Sequence, residues 1–400
     1  MMGGEALGIH GGKPVREVYL PYGQQQIDEH DIHSVINVLK GDFLTTGPTI
    51  QQFEKAIAQY VGAKYAVSFA NGTAALHAAC YAAGISEGDE VITTSMTFVA
   101  SANCILYQGG RPVFADIDYE TYNISTESIE EKITSKTKAI IPVHFTGQPV
   151  ELDTIKKIAK ENNLIVIEDA AHALGSTYKK QKIGSIGDMT MFSFHPVKHI
   201  TTGEGGIITT NNSVFYEKLI KFRTHGIERD PKRLLENQGP WYYEMQYLGY
   251  NYRMTDIQAA LGLSQLSKLD SFIKIRKKYV EIYNMEFGTL SEISIPKQLH
   301  NTFSSWHLYI IRLNTRLLKC NRKEVYEALQ KENIGVNVHY IPVHLHPFYQ
   351  KLGYEKGICP QAEKLYEEII TLPLFPKMTE DDVWDVINAV KKVLLFYRIA

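Results

Sequence analysis

The run Leu164-Ile165-Val166-Ile167-Glu168-Asp169-Ala170-Ala171-His172 decides how the chain reads. Four apolar residues in a row, most of them branched at Cβ, suit a strand buried on both faces. An acidic pair then stands at its carboxyl end. Outward from this run, short apolar segments recur at Tyr65–Phe69, Glu90–Thr94, Pro112–Ile117, Lys138–Val143, Met189–Phe194 and Gly206–Thr210. Helical patterns at Thr73–Ala83, Phe98–Tyr107, Ser125–Ile133 and Leu152–Asn162 separate several of them. Buried strands alternating with helices predict an α/β fold, a mostly parallel seven-stranded sheet with helices on both faces. Ligands of such sheets sit beyond the carboxyl ends of the strands, so chemistry is sought just after each one.

The flanks read differently. Asp28–Lys40 places Ile32, Val35, Ile36 and Leu39 at helical spacing, and Pro48 suits the start of a second helix through Tyr60. One long helix is predicted from Thr255 to about Phe287. After Ser291 the pattern becomes a strand at Ser305–Leu313, a helix at Asn321–Lys331, a strand at Gly335–His339 and a final helix opening near Thr379, whose first turn is capped and acidic. The expected organisation is a large domain, residues 1–290, with a helical preamble and an interdomain helix, followed by a smaller α+β domain, residues 291–400.

Composition narrows the function. The 400 residues are 44% apolar and 22% charged, which excludes disorder, collagen-like repeats and a coiled coil. Lys plus Arg total 42 against 44 Asp plus Glu, so no global basic field points to nucleic acid or an anionic membrane. No apolar run is long enough to span a bilayer, and Met1–Glu5 lacks a basic stretch leading into an apolar run, so no secretory signal is read. Cys80, Cys104, Cys320 and Cys359 are widely spaced and form no Cys-x-x-Cys; a reducing cytoplasm is the expected location.

Three places carry chemistry. At Ala70-Asn71-Gly72-Thr73-Ala74-Ala75-Leu76 a strand gives way to an Ala-rich helix, whose free N–H groups would favour a phosphate; the same residues also read as an ordinary turn and cap. The Glu168-Asp169 pair reads either as a cap or as the counter-ion of a ligand cation, because a buried carboxylate costs several kcal/mol without one. The run Met189–Gly206 ends a strand in Ser193-Phe194-His195 and then sets Lys198 in a Gly-rich loop. A lysine held near cations and apolar walls loses its proton readily and can form a Schiff base.

In this order the three places resemble the DegT/DnrJ-type nucleotide-sugar aminotransferases, which are fold-type-I pyridoxal-phosphate enzymes. The motifs are Gly47-Pro48, Asn71–Leu76, Glu168–His172, Ser193–Lys198, Gly203-Glu204-Gly205-Gly206 and Gly249–Asp256, and the resemblance spans nearly the whole chain. It implies pyridoxal 5'-phosphate (PLP) held covalently by Lys198, whose freed amine would shuttle a proton. It implies that Asp169 keeps the pyridine nitrogen protonated, that His172 meets the cofactor phenolate, and that Gly72, Thr73 and Ser193 hold the phosphate. Opposite unit charges 4 Å apart interact by about 4 kcal/mol at an effective dielectric near 20, before desolvation. Phe98 would stack on the ring or serve as core. The resemblance further implies a homodimer with shared sites, in which Asn251 reaches the partner's phosphate and Arg253 binds the donor carboxylate or forms a structural ion pair. Thr45, His195 and His339 are candidate substrate contacts.

Finer details, His195-Pro196-Val197-Lys198-His199 and Gly335–Tyr340, resemble the branch that transaminates C4 of a UDP-4-keto-6-deoxy-N-acetylhexosamine on the pseudaminic-acid route, with L-glutamate as donor and 2-oxoglutarate as product. A dTDP- or GDP-linked 3- or 4-ketosugar is the alternative substrate, and a PLP-binding regulator without turnover the more distant reading. No metal is expected: His339, His344 and His346 match no common zinc spacing, and Pro342 and Pro347 interrupt any helix that would align them.

Overall fold

A computed structural model describes residues 6–399. The opening Met1–Glu5, where the sequence shows no basic stretch before an apolar run, lies outside the described residues. Seven strands form the central sheet: β1 (Tyr65–Phe69), β2 (Glu90–Thr94), β3 (Arg111–Ala115), β4 (Thr137–Ile141), β5 (Ile165–Asp169), β6 (Met189–Ser193) and β7 (Gly206–Thr210), in the order β1-β7-β6-β5-β4-β2-β3. Only β7 runs against its neighbours, pairing antiparallel with β1 and β6. The seven strands predicted for this sheet are therefore all present, with ends displaced by a few residues.

The strands are wrapped by apolar clusters on both faces. One includes Phe53, Ile92, Ile140, Val166 and Phe192; the other includes Val67, Leu76, Val91, Ile141 and Met191. Adjacent strand residues contribute to opposite clusters, as the two-residue period requires. A further cluster joins Tyr283, Phe287, Tyr309, Ile311 and Val386, and it also takes in Leu7 and Leu20 from the start of the chain. It covers a three-stranded sheet of Ile293–Ser294, Tyr309–Leu313 and Ile369–Leu372. All four cysteines are buried and free.

Helices α1 (Glu29–Leu39) and α2 (Pro48–Val61) match their sequence patterns; Asp28 closes a capping box with Asp31 on α1, and Pro48 opens α2. Two expectations are corrected. The single helix predicted over Thr255–Phe287 is two helices, Asp256–Leu266 and Leu269–Phe287. Ser267 Oγ turns back to donate to the Ser264 carbonyl at 2.6 Å, and Lys268 is drawn to Asp28 and Asp31 at 2.8 and 2.6 Å. Such back-bonding bends a helix while the apolar period runs on through it. Nor is Gly335–His339 a strand. Gly335 N–H donates to the Leu20 carbonyl at 2.7 Å, while Asn337 forms an isolated bridge with Thr371, so the segment is divided between two partners.

Candidate active site

Four parallel strands deliver their carboxyl ends to one edge of the sheet. Asn71 and Gly72 follow β1, Phe98 follows β2, Asp169 ends β5 and Ser193 ends β6. A cavity of about 860 Å³ opens there; Gly72, Thr73, Phe98, Asp169, His172, Ser193, His195, Lys198 and His339 all line it. Nine positions proposed from the sequence thus meet in one space, although they span the chain from residue 72 to residue 339.

The loop between β1 and the helix α3 (Gly72–Ala82) is built for close approach. Asn71 caps α3 by accepting the Ala74 N–H at 2.8 Å. The N–H groups of Gly72 and Thr73, one turn too early for intrahelical bonds, face the positive end of the helix dipole. Gly206 on the adjacent β7 makes room: a Cβ there would lie 2.5 Å from the Asn71 carbonyl oxygen and 2.7 Å from the Gly72 nitrogen. A Cβ on Gly72 would press on Ser193 at 3.3 Å. The result is a cradle of N–H and hydroxyl groups suited to an anion.

The acidic pair divides its labour. Glu168 is fully buried and accepts from His144 Nε2 at 2.7 Å, from Gly187 N–H at 2.7 Å and from Thr190 Oγ1 at 2.9 Å. His144 Nδ1 accepts from Val150 N–H at 3.1 Å, which places the ring proton on Nε2. Asp169, the next residue, turns to the opposite face and lines the cavity. It accepts from Ser101 Oγ at 2.6 Å and from Ala171 N–H at 3.1 Å. Burial pushes its carboxyl pKa up; Ser101, Ala171 and the charge of Lys198 oppose that push.

Lys198 keeps some accessible surface because it lines the cavity, yet protein crowds its amine. That desolvation lowers its pKa to about 8 despite the attraction of Asp169. For both groups burial outweighs mutual attraction. A lysine that sheds its proton near neutrality is a usable nucleophile. His172 is held far below the ordinary imidazole pKa by burial and by Lys198, so it is neutral. Its Nε2 meets the Tyr340 hydroxyl at 3.2 Å, and its Nδ1 is buried without a partner.

Thr45, Asn251 and Arg253 do not line this cavity. Thr45 is exposed and bridges to Thr255; Asn251, expected to serve a partner's site, is exposed and bridges to Thr224. Arg253 is half-buried with its Nε unpartnered. Conversely, Tyr22, His77 and His307 line the cavity although no motif contains them, and Tyr252, Asn337 and Tyr340 line it from within the Gly249–Asp256 and Gly335–Tyr340 runs. His307 sits inside a segment read only as a strand, and nothing in its neighbourhood marks it. His344, weighed as a metal ligand, is tied to Glu363 at 2.8 Å.

The residues present fit a phosphate-bearing pyridine aldehyde. The cradle at α3 suits the phosphate, the buried carboxylate of Asp169 forms no salt bridge among the described residues, His172 has a spare nitrogen, and Lys198 is primed to lose its proton. Comparison with known proteins agrees. Residues 25–391 match the DegT/DnrJ/EryC1/StrS aminotransferase family. The spore coat polysaccharide biosynthesis protein SpsC of Bacillus subtilis is 43% identical over 381 residues, 95% of this chain and 98% of that protein. Helicobacter pylori PseC, an aminotransferase involved in the biosynthesis of pseudoaminic acid, superposes with a TM-score of 0.88 at 33% identity, covering 95% of this chain and 100% of that one. A Streptococcus pneumoniae protein, solved in PMP and PLP forms, superposes in its PMP form with a TM-score of 0.88 at 35% identity, over 94% of this chain and 98% of that one. Among the described residues no helix is long and apolar enough to cross a membrane. The chain belongs to the DegT/DnrJ/EryC1/StrS aminotransferase family and is a PLP-dependent sugar aminotransferase.

Proposed function

We propose that the protein moves an amino group from L-glutamate to C4 of a UDP-4-keto-6-deoxy-N-acetylhexosamine, a step of pseudaminic-acid biosynthesis, acting in the cytoplasm as a homodimer. The observation that carries the aminotransfer chemistry is the buried Lys198 amine sharing one cavity with the buried Asp169 carboxylate and the neutral His172. The choice of sugar is supported by His195–His199 and Gly335–Tyr340 in the sequence and by the likeness to PseC.

In this reading PLP supplies the electron sink for negative charge at the substrate carbon. Gly72 and Thr73 bind the phosphate through N–H groups, and Ser193 adds its hydroxyl. Asp169 stabilises a positive pyridine nitrogen, with Ser101 and Ala171 keeping the carboxylate ionised and aimed. His172 donates to the phenolate oxygen. Lys198 Nζ, its pKa lowered to about 8, would hold the cofactor and move a proton at the reacting carbon. Phe98, on the cavity wall, would pack against the ring. Tyr22, Asn337 and His339 face the sugar. Asn251 and Arg253 serve a neighbouring subunit's site. The division into residues 1–290, which hold the cofactor, and residues 291–400, which complete the sugar side, belongs to the same proposal.

The test is to incubate the protein with glutamate and UDP-, dTDP- and GDP-linked 4-ketosugars, and to follow both 2-oxoglutarate and aminosugar by mass spectrometry. Turnover with the UDP-N-acetylhexosamine alone is expected. Preference for a dTDP or GDP sugar overturns the substrate but leaves the aminotransferase. A yellow protein inert to every donor and ketosugar points to a regulator.

A further inference from the structure

Beneath the cavity, two left-handed turns face each other. Trp306 has φ 53° although it is bulky and buried, and Thr146 and Gly147 have φ 60° and 108°. Such backbone persists only where its surroundings over-determine it. Here the surroundings are visible. A Cβ on Gly147 would lie 2.9 Å from the Trp306 nitrogen, 3.1 Å from the His307 nitrogen and 2.9 Å from the His172 carbonyl oxygen. Ser176 Oγ donates to the Gly147 carbonyl at 2.6 Å and accepts the Ser305 N–H at 3.0 Å. From below, Arg276, 1% exposed, donates to the carbonyls of Trp306, His307 and Leu374 at 3.3, 3.2 and 2.7 Å.

The product of this scaffolding is the placement of one imidazole. His307 is 4% exposed, lines the cavity, and packs its ring 4.4 Å from that of His172, centroid to centroid. Its Nδ1 has no partner among the described residues. On another side His172 meets Tyr340. A histidine that must present one nitrogen to a ligand needs its ring plane held; the rings of Phe145 and Tyr340 lie 6.1 Å away, centroid to centroid, and His307 packs closer, at 4.4 Å.

We propose that His307 is a positioning residue for the cofactor site: its backbone, anchored by the Ser305–Trp306 turn and by Arg276, sets its ring against His172 and braces His172 in the orientation that meets the cofactor. The inference rests on the reading of His172 as a cofactor contact. It concerns packing, so a flat aromatic ring should substitute for the imidazole.

The test measures the affinity for PMP, which binds without a covalent link, by fluorescence titration of wild type, His307→Ala, His307→Phe, His172→Asn and the double variant His172→Asn/His307→Ala, with melting curves for each. His307→Ala should raise the PMP Kd about fivefold or more, while His307→Phe stays within about twofold, because a small misplacement in a preorganised site is felt strongly. The double variant should bind within about twofold of His172→Asn, since the two residues act through one contact. If His307→Ala does not fold, His307→Leu, which fills the space without a flat face, carries the same expectation. Three outcomes overturn the proposal. One is a lowered melting temperature with an unchanged PMP Kd. Another is full additivity in the double variant. The last is a His172→Asn protein that binds PMP normally, which removes the site reading as well, whereas the other two leave it standing.

Discussion

Ser101 Oγ stands 2.6 Å from Asp169 Oδ2, in a pocket where the carboxylate is 5% exposed. Burial raises the pKa of Asp169, and Ser101 is the largest of the influences that bring it down. A carboxyl with a raised pKa takes up its proton earlier as the pH falls, and once neutral it no longer attracts a cationic ring. Ser101→Ala should therefore weaken PMP binding more at pH 5.5 than at pH 8. A hydrogen bond to a buried charge is worth about 1.5–3 kcal/mol, so the loss at low pH should be about tenfold or more. Equal losses at both pH values would show that the hydroxyl does not tune the carboxylate. Asp169→Asn should bind weakly or react slowly at every pH.

Lys198 has its pKa lowered to about 8 by burial. Only the free amine attacks a carbonyl. Covalent capture of PLP by the cofactor-free protein should accelerate as the pH rises through 8 and level off above it. An unperturbed lysine would keep accelerating toward its ordinary value, about 10.4. Stopped-flow absorbance reports the profile, and a rate still climbing steeply at pH 10 contradicts the burial argument. Lys198→Ala should lose roughly 10⁴-fold or more of turnover while still holding cofactor noncovalently. Borohydride reduction followed by peptide mapping should label residue 198 and no other lysine.

Gly206 lets the Asn71 carbonyl oxygen come within 2.5 Å of where a Cβ would stand. The obstacle is main chain rather than a flexible side-chain tip. Gly206→Ala must push the start of α3 away from β7, at a cost of about 1–3 kcal/mol. The displaced N–H groups should then release PLP more easily. Dialysis against phosphate buffer, with loss of the cofactor's absorbance, checks this; retention equal to wild type would remove the cradle from the phosphate site.

His144 and Glu168 form a hydrogen-bonded pair 2.7 Å apart, both side chains fully buried. Removing His144 takes a hydrogen-bond donor away from a fully buried carboxylate, at a cost of about 1–3 kcal/mol or more. His144→Ala should therefore melt earlier than wild type, while the protein that remains folded keeps its KM for glutamate, because Glu168 faces away from the cavity. A changed KM with an unchanged melting curve would place Glu168 in the chemistry.

Much of the site is legible in the sequence because its parts are local. Gly72 and Thr73, Asp169 and His172, Ser193 and Lys198 each lie within a few residues of a strand end, and strands with their turns leave short-range marks. The helix break at Ser267–Lys268 escapes the same reading because the apolar period continues across it; the side-chain bonds that bend the chain there reach to Asp28 and Asp31. Asn251 and Arg253 lie outside the cavity although their motif Gly249–Asp256 is plain, as does Thr45, since a motif records family likeness and not where one chain's own cavity runs.

From its sequence alone, the chain determined a parallel-rich sheet, a lysine after one strand and an acidic pair at the end of another, because hydrophobic period and strand-end chemistry are short-range properties. Tertiary structure alone decided which carboxylate of that pair turns inward to bond His144 and which faces the cavity. It also decided that His307 comes to lie against His172, 4.4 Å ring to ring. Alternation sends adjacent strand residues to opposite faces but does not say which face is the open one. Residues far apart along the chain meet only when packing closes the loop between them.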